Sequence, residues 1–142
     1  MALRTDLTIT QLARISSVKR ETVRFYEQRG LLPAPPRSAS GYRLYPPVAA
    51  KRVQFIKGAQ TLGFSLDEIA DLLTLRATPD CTCSAIKSRA DEKIADIEQK
   101  ISALVAMKAA LAAIADSCAG GTAPLSDCPI LSALDTGEGA EQ

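Results

Sequence analysis

The chain has 142 residues, 46% of them hydrophobic and 23% charged, the composition of one globular domain or a small domain with an extension, and not of a disordered polyelectrolyte. Its net charge of +1 hides an asymmetry: residues 1–57 carry eleven Lys and Arg against three Asp and Glu, net +8, while residues 58–142 carry six against thirteen, net −7. A basic head on an acidic body points to a polyanion partner for the head, most simply nucleic acid. No apolar run reaches the roughly eighteen residues of a membrane span, and Met1 to Thr10 holds no apolar signal core, so a cytoplasmic protein without a membrane partner is expected. Four cysteines in a reducing compartment read as metal-binding or redox-reactive before they read as a disulfide framework, and with no histidine in the chain the ligand types narrow further.

In chain order, Thr8 to Ser16 sets apolar positions 9, 12 and 13 on one face of a short helix, with Thr8 as N-cap. A break at Ser16-Ser17 precedes a second helix, Lys19 to Arg29, with Val23 and Tyr26 on one side and Lys19, Arg20, Thr22 and Arg24 around the other; Gly30 can close it in the left-handed conformation. Two short helices with a tight junction read as helix-turn-helix with the second as reader, although an ordinary amphipathic pair has the same spacing. Pro33, Pro35 and Pro36 forbid helix, and Ser40-Gly41 leads into Tyr42-Arg43-Leu44-Tyr45, a turn and a short alternating strand. The resulting β-wing carries Arg37, Tyr42, Arg43 and Tyr45, a basic and aromatic mix suited to a phosphate backbone.

Pro46 or Pro47 opens a third helix, Val48 to Leu62, with Val53, Phe55, Ile56 and Ala59 for the core and Lys51, Arg52 and Lys57 extending the basic surface; Gly63 stops it. Ser65-Leu66-Asp67-Glu68 is a capping box that starts a fourth helix through Leu75, and residues 76–83, with Pro79, form a linker. From Ser84 to Ser117 there is neither Gly nor Pro, so one long helix is expected. Ile94, Ile97, Ile101, Leu104, Met107, Leu111 and Ile114 recur at three- and four-residue spacings as a narrow seam for one partner helix, and the chain is expected to pair with itself.

Cys83 lies just before this helix and Cys118 just after it, roughly 50 Å apart at the helical rise, so they cannot meet within one chain. If two such helices pair antiparallel, Cys83 of one chain arrives beside Cys118 of the other at each end of the seam, as in a dimeric thiol sensor. Gly120-Gly121 lets the chain turn sharply from the helix toward Cys128, and Cys128-Pro129 begins another short helix. Cys83 and Cys128 are thus at helix N-termini, where free N–H groups favour a negative sulfur. Asp135 to Gln142 reads as a frayed acidic tail.

Three motifs, Arg20-Glu21-Thr22-Val23-Arg24-Phe25-Tyr26-Glu27-Gln28-Arg29-Gly30-Leu31-Leu32, then Gly41-Tyr42-Arg43-Leu44-Tyr45, then Leu62-Gly63-Phe64-Ser65-Leu66-Asp67-Glu68-Ile69, resemble the MerR family of bacterial transcription regulators. The resemblance covers residues 8–75 and continues through the long helix. It implies a mainly α fold: a winged helix-turn-helix head with a small β-wing over residues 5–75, a linker over 76–83, and a dimerisation helix over 84–117 forming an antiparallel coiled coil. A metal-binding loop with a short C-terminal helix over 118–135 and a tail over 136–142 complete it. The implied partners are double-stranded operator DNA, RNA polymerase at the promoter and a second copy of the chain.

Cys83, Cys118 and Cys128-Pro129-Ile130-Leu131 resemble the three cysteines that bind Hg(II) in the mercury-resistance regulators, with Cys83 from the opposite chain, though the loop from Cys118 to Cys128 is about a residue longer here. The zinc, cadmium and lead branches usually carry a further Cys or a His in this loop, where Ala119-Gly120-Gly121 offers neither, and a redox branch with an iron–sulfur cluster packs four cysteines into its C-terminal loop, which here holds only two of the chain's four. Three thiolates without imidazole make a soft, low-coordinate site, whereas a structural zinc takes four ligands. A lone buried Cys is more often a small hydrophobe, but Cys83, Cys118 and Cys128 together read as ligands, with Cys81 as a spare or a capture thiol.

Surface arginines usually form a solvated face; the clustering of Arg20, Arg24 and Arg43 on reader helix and wing assigns them, with Lys19, Thr22, Tyr26, Arg37 and Tyr42, to DNA. Phe25 and Tyr26 are core and packing residues before they are base readers, although a Tyr hydroxyl can reach a phosphate. The expectation is a homodimeric regulator that represses a mercury-resistance operon without metal and activates it with Hg(II) as effector, using no organic cofactor and catalysing no reaction. The rivals are a relative tuned to lead, cadmium or zinc, and a thiol-based metal-buffering or redox protein.

Overall fold

The computed structural model describes residues 6–137; residues 1–5 and 138–142, the expected start of the head and most of the acidic tail, lie outside it. Six α-helices occur among the described residues: α1 (Ile9–Ser16), α2 (Arg20–Gln28), α3 (Val48–Thr61), α4 (Leu66–Ala77), α5 (Cys83–Asp116) and α6 (Pro129–Thr136), with a 3₁₀ turn at Leu125–Asp127. The chain divides into two compact units with the boundary after Arg89. No helix among the described residues is long and apolar enough to cross a membrane.

Local signals set the helix ends in the head. The Gln11 N–H donates to the Thr8 hydroxyl at 3.2 Å and the Thr8 N–H donates to the Gln11 side chain at 2.9 Å, a reciprocal cap on α1. The same box starts α4, where the Glu68 N–H donates to Ser65 Oγ at 3.2 Å and the Ser65 N–H to Glu68 Oε1 at 2.8 Å. Gly30, at φ 76°, closes the turn after α2 and lets the Leu31 N–H reach the Tyr26 carbonyl at 2.9 Å. At the junction of α1 and α2 the same left-handed conformation falls on Ser17, φ 58°, at a cost of roughly 1 kcal/mol for a residue with a Cβ. Lys57 offsets that cost from α3 by donating to the Ser17 carbonyl at 2.8 Å.

α1 packs on α2 and α3, and α3 on α4. Their apolar faces close one cluster that includes Leu12, Val23, Tyr26, Tyr45, Val53, Ile56 and Ile69, each 2% exposed or less. The wing forms without a regular strand: its alternating residues make only isolated antiparallel bridges, Arg37 with Arg43 and Leu7 with Tyr45. Pro35, Pro36, Pro46 and Pro47 flank it and have no N–H for a longer ladder, which is why the expected strand at Tyr42 to Tyr45 stays this short.

α4 runs to Ala77, so the connection to α5 is 78–82, shorter than expected, and Cys83 is the first residue of α5 rather than the one before it. α5 continues for 34 residues, roughly 50 Å. In its first turns Arg89 pairs with Asp71 of α4. Beyond Arg89, Lys93 and Lys100 hold Asp96 at 3.2 and 3.6 Å; the Lys93 hydrogen bond first, then the Lys100 charge, keeps that carboxyl below its usual range. Ile94, Ile101, Leu104, Met107 and Leu111 each stand more than half exposed along this helix. Asp135 and Thr136 belong to α6 and not to a tail, because Gly137, at φ 74°, caps the helix after them.

Candidate nucleic-acid interface and metal centre

Helix α2 is amphipathic: Val23 and Tyr26 are buried, while Lys19, Arg20 and Arg24 are exposed and make no ion pair among the described residues. Thr22 is half-buried between the two faces. The helix therefore turns three uncompensated cations to solvent, as a helix reading DNA must. Tyr26, which the sequence placed among the DNA contacts, is 2% exposed, and its hydroxyl donates to Gln60 Oε1 at 2.6 Å. Burial pushes its phenol up from the ordinary tyrosine range. Its place is the core, where it seats α2 on α3.

The wing is a tight hairpin: the Ser38 N–H donates to the Tyr42 carbonyl at 2.7 Å, and Arg37 donates to the Gly41 carbonyl at 2.9 Å. Tyr42, 69% exposed, and Arg37 stand at its tip. Arg43 is turned inward onto Glu27 of α2, whose other carboxylate oxygen accepts the Tyr45 hydroxyl at 2.8 Å. Tyr45 is buried; burial and then its bond to Glu27 push its phenol up, while the Tyr45 hydroxyl and the Glu27 charge hold Arg43 more firmly protonated. Of the basic residues expected to widen the DNA surface from α3, Lys57 is tied to Ser17 and Arg52 donates to the Leu31 carbonyl at 2.8 Å, leaving Lys51 exposed.

The thiols sit at helix ends. Cys83 opens α5 and is exposed, as is Cys81, whose N–H donates to the Thr78 carbonyl at 3.2 Å. Cys118 and Cys128 are half-buried. The Cys118 N–H still donates to Ala115, at 3.1 Å, extending the last turn of α5, and the Gly120 N–H then points at Cys118 Sγ, 3.4 Å away. Positive φ at Gly120 and Gly121, 79° and 89°, turns the chain back. The 3₁₀ turn at Leu125–Asp127, which the sequence did not announce, delivers Cys128 as N-cap of α6. An open pocket of about 430 Å³ lies between the end of α5 and α6, lined by Ile114, Ser117, Pro129 and Ser132 among others. Among the described residues of one protomer, no three Cys, Asp or Glu side chains gather closely enough to hold a metal ion.

Sequence reasoning gave Glu27 no role of its own and counted Arg52 and Lys57 only as basic surface, missing the ties they make within the head. Nothing in the local pattern announces them, since their partners lie 16 to 40 residues away.

The profile of the MerR HTH family regulatory protein matches residues 7–75, and the profile described as MerR, DNA binding matches residues 50–114. The chain is 39% identical over 133 residues to the mercuric resistance operon regulatory protein of Pseudomonas fluorescens, covering 93% of this chain and 90% of that one. It is 38% identical over 128 residues to the HTH-type transcriptional regulator CueR of Vibrio cholerae, covering 90% and 91%. Among solved structures it is similar, with a TM-score of 0.79 and 35% identity, to the transcription regulator PbrR691 from Ralstonia metallidurans in complex with lead(II), covering 90% of this chain and 98% of that one.

Proposed function

The chain belongs to the MerR family of helix-turn-helix, metal-responsive transcription regulators, and from that premise we propose that it is a mercury-responsive, homodimeric member. In this reading it represses a mercury-resistance operon without metal and activates it with Hg(II). It acts in the cytoplasm on double-stranded operator DNA together with RNA polymerase, and it is neither an enzyme nor a carrier of an organic cofactor. Lys19, Arg20, Thr22 and Arg24 of α2 face the DNA, Arg37, Tyr42 and Arg43 follow its backbone from the wing, and Tyr26 holds α2 in place. The exposed stripe on α5 supports self-pairing, since five large apolar side chains would otherwise stay in water.

One observation carries the choice of metal: three thiols at helix ends in a chain without histidine, Cys83 at the start of α5, Cys118 at its end, and Cys128 at the cap of α6. Hg(II) supplies a soft centre that takes thiolates at low coordination number, and this donor set fits it. Cys118 and Cys128 would come from one protomer and Cys83 from the other, with Cys81 outside the set. A restraint on Cys83 has a route to the head, because Arg89, less than two turns on, pairs with Asp71 of α4 and α4 packs on α3. Packed helices move as rigid bodies, so this route re-angles the paired heads and with them the bound promoter.

The lead(II) complex of PbrR691 supports the one rival kept, a lead sensor. Induction of a reporter under the native promoter, titrated with Hg(II), Pb(II), Cd(II) and Zn(II), separates them: half-maximal induction is expected at the lowest concentration for Hg(II), and a lower one for Pb(II) reverses the assignment. For the mechanism, Hg(II) is expected to change the reactivity of central operator base pairs to a probe of unstacking far more than it changes affinity. Release from DNA on adding Hg(II), with no central distortion, would make the protein a derepressor instead.

A further inference from the structure

The Glu27 carboxylate reaches from α2 into the wing. Its side chain is only 9% exposed, yet both oxygens are used: one accepts Arg43, the other the Tyr45 hydroxyl at 2.8 Å. Tyr45 is itself pinned from the opposite side, since the Leu7 and Tyr45 N–H groups each donate to the other's carbonyl at 2.7 Å. The carboxylate thus joins α2 to the base of the wing. It also stands against a cost, because Arg37 and Arg43 are bridge partners, and like charges opposed across a hairpin destabilise it. With Arg43 on Glu27 and the Arg37 guanidinium turned to the Gly41 carbonyl, the wing presents one uncompensated cation, not two.

We propose that Glu27 is a positioning residue for DNA recognition: it aims the wing at the duplex from α2 and cancels the charge of Arg43, so that Arg43 guides by hydrogen bonding and does not displace a counterion. The inference rests on the reading of α2 and the wing as the DNA-contacting surface. A guanidinium has five N–H donors and Glu27 engages it through NH1, so Arg43 keeps donors for a phosphate oxygen while its charge stays compensated. Nucleic-acid binding distinguishes these two contributions, because each phosphate neutralised adds about 0.9 to the slope of log affinity against log salt.

The test measures binding of the full-length dimer to mixed-sequence duplex DNA over a range of salt. Arg43→Ala alone strands the Glu27 carboxylate without its cation, so the neutral comparison is the double variant Glu27→Gln/Arg43→Ala, expected to weaken binding with the wild-type slope. Glu27→Gln keeps an acceptor for Tyr45 but frees the Arg43 charge, so its slope steepens by about 0.9, and the double variant returns to the wild-type slope. Glu21→Gln, the same loss of charge on an exposed α2 residue, is expected to leave the slope alone. A slope flattened by about 0.9 in the double variant, or steepened equally by Glu21→Gln and Glu27→Gln, overturns the proposal. Should Glu27→Gln not fold, Arg43→Lys decides: it keeps the charge opposite Glu27 but drops the spare guanidinium donors, so weaker binding at an unchanged slope is expected and wild-type affinity overturns the proposal. Wild-type protein that does not bind duplex DNA at all overturns the parent reading instead, a different outcome from either of these.

Discussion

The head and the segment beyond Arg89 solve the problem of burial in opposite ways. Four short helices of the head close on each other and remove Leu12, Val23, Val53, Ile56 and Ile69 entirely from water within one protomer. In residues 90–137 the single buried side chain is a lysine, Lys93, while the apolar stripe of α5 remains in solvent. Most of the stripe from Ile94 to Leu111 is exposed in one protomer, and helices depend on packing more than on propensity for stability. The head thus closes its core within one chain, whereas in the proposed dimer α5 buries its stripe against a second.

The sharpest way to break this contrast is a charge in the seam. Leu104→Asp removes about 2 kcal/mol of burial from each of two chains, which weakens the dimer on the order of a thousandfold in dissociation constant. Sedimentation should report monomers with the head's near-ultraviolet signal intact; a variant that stays dimeric at micromolar concentration would show that the stripe is not the seam. Next, Cys128→Ser should abolish the response to Hg(II) while leaving dimer and DNA binding unchanged, and Cys81→Ser should do far less. Equal losses from the two would argue for a four-sulfur site and move the reading toward zinc or cadmium.

Ile56→Ala, in the head, should cost about 3 kcal/mol and lower the denaturation midpoint by the same amount at every protein concentration. A concentration-dependent loss would mean that the head's core is shared between chains. The smallest effect is alkaline. Burial raises the Tyr26 and Tyr45 phenols above the ordinary value of 10.0, so their contribution to stability is complete below that pH and is lost as pH rises through the raised values. All three tyrosines of the chain lie in the head, so melts from pH 9 upward should lose the head transition first and the α5 transition later.

Helix order in the head was legible because the signals are short-range. Thr8 with Gln11 and Ser65 with Glu68 are three residues apart, and the break at Ser16-Ser17 and the stop at Gly30 each need one residue in a left-handed turn. The apolar stripe of α5 was legible for a related reason: a helical period repeated from Ile94 to Ile114 states which face is apolar whatever lies opposite. The wing was read correctly as a hairpin but its strand was overread, since alternation at Tyr42 to Tyr45 says nothing about whether flanking residues can supply N–H groups. Tyr26 was legible as a packing residue, three positions from Val23 on the same face; that α3 would bring Gln60 to its hydroxyl was not.

By itself the sequence determined the order of helices, the charge of the head, the apolar stripe of α5 and the helix ends that hold the cysteines, all of which follow from energies acting within a few residues. Only the tertiary structure decided which charges remain available. Arg43 meets Glu27 across 16 residues, Arg52 meets Leu31 across 21 and Lys57 meets Ser17 across 40. Such partners depend on how three helices and a hairpin pack, and no local pattern in the chain encodes the distance between them.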